Sequence, residues 1–285
     1  KFFSLSLVLL LFLILISIPL DRADAEELDS TVAAALITDQ GTDVVVPNTY
    51  TSIGDSAFSG SSLTSITIPD SVTEIGDYTF DDCSGLTGAL TIPDSVTEIG
   101  ERAFDECSGL TGTLIIPDSV TSIGRESFMD CSSLTSVIIP GSVTSIGKGA
   151  FQSCSQLTSV IIPDLVTAIS NRTFRECSGL TSVTIPDSVT SIGDYAFYDC
   201  SNLTSLTIPD SVTSIGNEAF NGCSSLTSVV IPDSVTYIDG YAFRNTGLTS
   251  VVIPDSVTSI TQGIFYGCSD LASVVIPDSV TSIVD

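Results

Sequence analysis

The chain has 285 residues, of which 43% are hydrophobic and 7% aromatic, and its 34 acidic and 8 basic residues give a formal net charge of −26. The apolar content is sufficient for a folded core and argues against disorder. The negative charge would repel phosphate backbones and anionic lipid surfaces, so nucleic acid and membrane surfaces are poor partners. Histidine is absent.

The first 25 residues are typical of a secretion signal peptide. Lys1 precedes a long apolar run, and Ala23 and Ala25 then form a small-x-small cleavage site. The apolar run approaches the length that spans a bilayer, so a retained anchor is the alternative. We therefore predict a mature chain that begins near Glu26 and is secreted or displayed at the cell surface.

The next segment, residues 26–43, fits no repeat and is predicted to form an N-terminal cap. From residue 44 to residue 285 the chain repeats one unit of about 23 residues. After Pro47, prolines recur at intervals of 22 to 24 residues, and one phenylalanine in each unit follows the same period. The chain ends in mid-unit at "TSIVD", so either Ile283 lies on an exposed end or the natural protein continues.

One unit can be analysed from "LTSVTIP", residues 180–186. Val183 and Ile185 alternate with outward-facing Thr184, as in a short strand, and Pro186 ends that strand. The following "PDS" is turn chemistry, and "DYAFYDC" has near-helical spacing that favours a helical turn or two. Stacked units bury the apolar side chains that a single unit cannot bury. The sequence therefore predicts an α/β-type solenoid of about ten units, a right-handed coil with a parallel β-sheet on one face and short strands, turns and helical turns on the other.

The run "LTSVTIPDSVTSIGDYAFYDCS" resembles the leucine-rich repeats of the BspA-like family, also called the treponemal type. The similarity extends over roughly residues 44 to 285 and is present in every unit. This resemblance implies a leucine-rich solenoid of a secreted or surface protein, often involved in adhesion to host or matrix proteins. It does not imply a particular ligand.

Eight cysteines share one repeat position. They are Cys83, Cys107, Cys131, Cys154, Cys177, Cys200, Cys223 and Cys268. Equivalent positions stack about 4.8 Å apart with parallel Cβ vectors, whereas a disulfide needs Cβ atoms ~3.8 Å apart that face each other. Metal binding is weaker still, because CxxC motifs and histidines are absent. We interpret the cysteines as a structural ladder of buried free thiols, with disulfides between adjacent units and metal coordination as alternatives.

Serines and carboxylates recur in register, which is typical of a structural role, and the usual general bases are missing. We therefore predict no enzymatic activity, catalytic residue, cofactor or metal. The candidate ligand-binding surface is the outward middle position of the strands, where branched apolar residues accumulate. It comprises Ile115, Ile138, Ile161, Thr184, Thr207, Val230, Val252 and Val275. The alternative is that branched residues stand there only because they suit strands.

Two further rows are regular. The post-proline aspartates either cap turns or form weak calcium sites, and a threonine row either suits strands or orders water as in ice-binding proteins. The sequons at Asn171 and Asn202 would accept glycans in a glycosylating organism. The sequence thus favours a secreted or cell-surface scaffold that binds an extracellular protein or carbohydrate. The alternative is an acidic wall or matrix component, possibly linked by calcium, with ice binding a distant third.

Overall fold

The computed structural model describes residues 26–284. The predicted signal peptide, residues 1–25, lies outside the described residues. The predicted solenoid is confirmed. A typical turn has a first strand before the proline turn and a second, shorter strand after it, and all of these strands are parallel. The eleven second strands mark about 11 turns.

The first strand of each turn alternates inward and outward residues. Val183, for example, is buried between exposed Ser182 and Thr184, and this alternation follows from the two-residue period of a strand. Isolated bridges join Thr91 to Ile115 and Thr207 to Val230 where the strand itself is too short. The first strands are β2 Asp43–Val45, β4 Ser65–Thr67, β7 Gly112–Ile115, β9 Leu134–Ile138, β11 Ser159–Ile161, β13 Ser182–Thr184, β17 Ser250–Val252 and β19 Ser273–Val275.

A second, shorter strand follows the proline turn. The second strands are β3 Tyr50–Ile53, β5 Glu74–Ile75, β6 Glu98–Ile99, β8 Ser122–Ile123, β10 Ser145–Ile146, β12 Ala168–Ile169, β14 Ser191–Ile192, β15 Ser214–Ile215, β16 Tyr237–Ile238, β18 Ser259–Ile260 and β20 Ser282–Ile283. With β1 Glu26–Leu28 at one edge, they form ladders in the orders β1-β3-β5-β6-β8-β10, β12-β14-β15-β16 and β18-β20. All pairs are parallel, and isoleucine lies opposite isoleucine from one turn to the next.

The N-terminal segment adds β1 and one helix, α1 Ser30–Gln40. The carboxylate of Asp29 accepts hydrogen bonds from the N–H groups of Thr31 and Val32, both at 2.9 Å, and so caps the helix. Leu28 and Ala33 are buried in the common core. Strand β1 pairs in parallel with β3 of the first turn, so the segment is joined to the solenoid by both backbone and side chains.

The core is dominated by a stack of ten phenylalanine rings, one in each turn except the last. Their centroids lie 5.0 to 6.0 Å from those of their neighbours, with interplanar angles of 3 to 19°. Each large side chain buried in this way contributes roughly 1.5–3 kcal/mol. The stacked residues are Phe58, Phe80, Phe104, Phe128, Phe151, Phe174, Phe197, Phe220, Phe243 and Phe265.

The segment around each phenylalanine forms consecutive tight turns, so the prediction of helical turns was wrong. The N–H groups of Asp81 and Cys83 donate to carbonyls three residues earlier, but those of Tyr78, Phe80 and Asp82 donate to carbonyls of the next turn of the solenoid. Tyr78 and Asp82 have φ of 56° and 54°, which interrupts a helix. The neighbouring turn supplies hydrogen-bond partners that side-chain spacing alone does not reveal.

A close backbone approach explains the glycine that follows the second strand. A Cβ added to Gly124 would lie 2.4 Å from the carbonyl oxygen of Gly100 in the preceding turn. A side chain at Gly124 would therefore push adjacent turns apart. Gly141 is different, because a Cβ there meets no atom within 4 Å.

Candidate functional site

The outward middle positions of the first strands form an exposed row, which we call the strand-face row. All eight residues of the predicted ligand-binding surface are exposed. The isoleucine and valine members expose between 53% and 79% of their surface. The row comprises Val45, Thr67, Thr91, Ile115, Ile138, Ile161, Thr184, Thr207, Val230, Val252 and Val275.

Paired strands bring the apolar members of the row together. Ile115 lies opposite Ile138, and Val252 lies opposite Val275. Residues in register on parallel strands are separated by about 4.8 Å. The surface therefore presents aliphatic side chains side by side, which a solvated sheet does not require.

Val45 belongs to the row but was not among the predicted residues. It pairs with Thr67 through β2 and β4 and is exposed. A signal was present in the sequence, because Val45 precedes Pro47 by two positions, just as Ile115 precedes Pro117.

Exposed aspartates form a second row, three residues after the strand-face row. This acidic row comprises Asp70, Asp94, Asp118, Asp164, Asp187, Asp210, Asp233, Asp255 and Asp278. Within residues 26–284, every base lies within three residues of a stacked phenylalanine, on the tight turns, namely Arg102, Arg125, Lys148, Arg172, Arg175 and Arg244. The described strands and proline corners thus carry acids without bases, and their potential is negative.

The tight turns hold the ion pairs. Arg102 lies 2.6 Å from Glu126 and 3.8 Å from Asp105. Asp105 is buried, and its Oδ1 has no hydrogen-bond partner. Burial raises the pKa of Asp105 to about 7; the charge of Arg102 opposes that rise, and Asp81 and Asp130 add to it.

The eight cysteine thiols occupy equivalent places in the core. Each Sγ lies 3.0 to 3.2 Å from the carbonyl oxygen of the phenylalanine one turn earlier, as Cys131 does from Phe104. All eight thiols are free in the structure, and all but Cys268 are buried. Burial raises the pKa of Cys177 to about 12, so this thiol keeps its proton at neutral pH. The geometry adds a weak S–H hydrogen bond to the packing role that we predicted.

Two turns without cysteine keep a donor at the same position. Ser61 and Thr246 each follow their phenylalanine by three residues, as the cysteines do. Ser61 Oγ lies 3.3 Å from Cys83 Sγ, and Thr246 Oγ1 lies 3.1 Å from Cys268 Sγ. Thr246 also donates to the Phe243 carbonyl at 2.9 Å. The position therefore holds a small side chain with a hydroxyl or thiol, rather than cysteine alone.

The two sequons differ in accessibility. Asn171 accepts a hydrogen bond from the N–H of Asp194 at 3.0 Å and donates to its carboxylate at 3.3 Å. Thr173 of the same sequon is buried. Asn202 is exposed and lies beside an exposed sequon threonine. Asn171 is exposed as well, but its amide is engaged by Asp194, so Asn202 has the freer side chain of the two predicted acceptors.

Seven of the ten hydroxyls in the threonine row donate their protons within the protein. Thr213 Oγ1 donates to the Thr190 carbonyl at 3.1 Å, and seven contacts of this kind measure 3.1 to 3.3 Å. These hydroxyls tie successive turns together and offer water only their acceptor electron pairs, which does not favour ice binding. The row comprises Thr73, Thr97, Thr121, Thr144, Thr167, Thr190, Thr213, Thr236, Thr258 and Thr281.

A surface cavity of about 550 Å³ lies on the tight turns near residue 263. The guanidinium carbon of Arg244 lies 5.6 Å from the ring centroid of Tyr241 and 5.2 Å from that of Tyr266. Gln262, Gly263 and Val284 complete its lining. The sequence does not reveal this cavity, because most of its residues occupy positions whose type changes from turn to turn.

Residues 26–284 contain no group of three or more histidine, cysteine, aspartate or glutamate side chains that could hold a metal ion. The same residues contain no helix with the length and apolar character needed to cross a bilayer.

Comparison with protein families gives a match over most of the chain. Residues 38–111, 87–204 and 190–285 match the family model for the BspA type leucine rich repeat region, which covers six copies. A search of curated proteins finds no significant match.

Solved structures give matches over most of the described residues. A leucine-rich repeat protein from Bacteroides ovatus is 34% identical over 88% of this chain, with a TM-score of 0.78. A leucine rich cell surface protein from Faecalibacterium prausnitzii A2-165 is 32% identical over 83% of this chain, with a TM-score of 0.56. This chain spans 64% of the length of the first protein and 70% of the second. A leucine-rich repeat protein from Eubacterium ventriosum shares the fold, with a TM-score of 0.50. It is 24% identical over 90% of this chain and 86% of its own length.

Proposed function

Since the chain belongs to the BspA-type leucine-rich repeat family, we propose that it is a non-catalytic scaffold that binds an extracellular protein or glycan through the strand-face row. The observation that carries the proposal is the exposure of seven isoleucine and valine side chains along this one row. An apolar surface of this kind on a soluble protein marks an interaction site.

The proposed location is the cell surface or the extracellular space. Two points support it: the N-terminal residues have the pattern of a signal peptide, and the Faecalibacterium prausnitzii relative is a cell surface protein. In this proposal residues 26–43 are the N-terminal cap, and the buried cysteines stabilise the core without reacting.

A binding assay tests the proposed surface. The purified chain is presented to a panel of extracellular matrix proteins and to a glycan array, alongside the variants Ile138→Glu, Ile161→Glu and Asn202→Glu. Ile138 and Ile161 lie on the row, whereas Asn202 is an exposed residue of the tight turns. We expect both isoleucine variants to lose at least tenfold in affinity for a ligand found in this way and Asn202→Glu to retain it. Unchanged affinity in all three variants would show that the row is not the binding surface.

The rival function is an acidic structural component of a wall or matrix, linked by calcium. It predicts a melting temperature that rises with calcium and no protein or glycan ligand. The exposed acidic row is the feature that agrees with this rival, but within residues 26–284 no group of three or more potential metal ligands comes together.

A further inference from the structure

Two departures from the repeat lie in adjacent turns near the middle of the strand-face row. At the acidic-row position, the turn of Ile138 carries Gly141 instead of aspartate. The following turn carries Leu165, where the first turn has Thr49 and every other repeat has serine. These departures flank Ile161, one of the most exposed members of the row.

The serine that Leu165 replaces has a structural role in other turns. Ser188 donates to the Val166 carbonyl at 2.7 Å, and Ser211 donates to the Val189 carbonyl at 2.6 Å. Leu165 cannot make this bond, and it is 54% exposed, so it gains little burial in return. Packing therefore does not explain the leucine. The serines that donate in this way are Ser95, Ser119, Ser142, Ser188, Ser211, Ser234, Ser256 and Ser279.

Ile138, Ile161 and Leu165 form what we call the central apolar patch. Ile138 and Ile161 occupy equivalent positions in successive turns, on strands β9 and β11, which contact each other. Leu165 follows Ile161 by four residues, so their Cα atoms are at most about 14 Å apart. Gly141 leaves open space beside the patch, because even a Cβ there would meet nothing within 4 Å. The patch is thus small enough to be covered by a few residues of an extended segment.

The surroundings of the patch set the charge of its partner. Asp118, Asp164 and Asp187 are exposed in the turns before, at and after the patch. Strands and proline corners within the described residues carry no base that would neutralise them. An acidic partner would face like charges here, whereas a basic partner would be attracted to the patch and oriented on it.

We infer that the central apolar patch binds an extended, lysine- or arginine-rich protein segment with a large apolar side chain between its basic residues. The inference rests on the proposed function, because it names the partner class and the part of the row that this partner contacts. A peptide is favoured over a glycan because the three side chains of the patch are aliphatic and offer no hydrogen bonds to hydroxyl groups.

The test uses three synthetic 12-residue peptides and the full chain. The first peptide is lysine-rich with a central leucine, the second has serine at the centre, and the third has glutamate in place of lysine. Binding is measured by fluorescence anisotropy for the wild type and for Leu165→Ser, Ile161→Thr and Val252→Thr. Each substitution introduces a residue type that other turns carry at the same position, so the fold should persist, which circular dichroism checks.

We expect Leu165→Ser and Ile161→Thr each to lower the affinity for the leucine peptide about tenfold or more, because each removes an aliphatic side chain that the peptide would bury. Val252→Thr, four turns away on the same row, should change affinity less than twofold, and the serine and glutamate peptides should bind wild type at least tenfold more weakly. Equal affinity of wild type and Leu165→Ser for the leucine peptide, or of the lysine and glutamate peptides for wild type, would overturn the inference. If Ile138→Glu still abolishes binding of a ligand from the matrix or glycan panel, the proposed function survives that failure; if no row variant affects any ligand, both fall.

Discussion

Replacing Asp105 by asparagine should change how the stability of the protein depends on pH. Asp105 is only 1% exposed, its Oδ1 lacks a hydrogen-bond partner, and its nearest base, Arg102, is 3.8 Å away. Burial is the main reason that the pKa of Asp105 rises from 3.8 to about 7 in the folded protein. The unfolded chain should titrate near the ordinary value.

The size and sign of the effect follow from these two pKa values. Because the folded pKa is the higher one, the folded protein holds a proton between about pH 4 and pH 7 that the unfolded chain has released. This group therefore contributes stability in acid that is lost as the pH rises through 7. Each unit of pKa difference corresponds to about 1.4 kcal/mol, so the full effect is about 4 kcal/mol, of which about 2.5 kcal/mol falls between pH 5 and pH 8.

Urea unfolding followed by circular dichroism at pH 5 and pH 8 measures this difference. Asp105→Asn cannot ionise, so its stability relative to wild type should improve by about 2.5 kcal/mol on going from pH 5 to pH 8. A fixed cost of the buried amide cancels in that comparison. Asp118→Asn, at an exposed site, should differ from wild type by less than about 0.5 kcal/mol at both values. The reasoning is refuted if the relative stability of Asp105→Asn is the same at both pH values or declines at pH 8.

Three further predictions concern the core. Gly124→Ala should destabilise the protein by about 1–3 kcal/mol, because its Cβ would lie 2.4 Å from the Gly100 carbonyl oxygen. Gly141→Ala should stay within about 0.5 kcal/mol of wild type, because its Cβ would meet nothing within 4 Å. Equal melting temperatures of the two variants would contradict the close approach at Gly124. In urea unfolding, Cys154→Thr should be about 1 kcal/mol more stable than Cys154→Val, because only threonine can replace the thiol as a hydrogen-bond donor. Equal stability of the two variants would mean that the cysteine contributes only through packing. A thiol reagent should label Cys268 first in the native protein, because the other seven cysteines are buried, and it should label all eight in denaturant. If two or fewer cysteines react in denaturant without reductant, the cysteines form disulfides.

The repeat period was enough to predict the solenoid and its core. One phenylalanine per turn, in step with one proline, requires like residues to lie over like residues if any turn is to bury its ring. Phe197 and Phe220 accordingly stack at 5.4 Å. The family was expected from the resemblance of one repeat run to BspA-like repeats, and the family comparison confirms it.

Local chemistry between turns could not be predicted from one unit. The helical spacing around Phe80 suggested a helix, but the amides there bond to the next turn, which a single unit does not contain. The donor role of Cys131 depends on a carbonyl 27 residues earlier in the chain. Leu165 is visible in the sequence as a departure, but its significance emerges only when the bonds of the equivalent serines are seen. The strand-face row as a binding surface stays a prediction.

The phenylalanine stack has a consequence for the gene. Every internal turn offers the same ring above and below, so an in-frame gain or loss of one block of about 23 codons exchanges one ring-on-ring junction for another of the same geometry. The hydrophobic interior would tolerate such recombination between near-identical blocks. On the surface, each gain or loss of a repeat would shift all later turns along the solenoid axis by the height of one turn relative to the N-terminus. The distance between surface features could therefore change by whole turns while the packing of the interior stays the same.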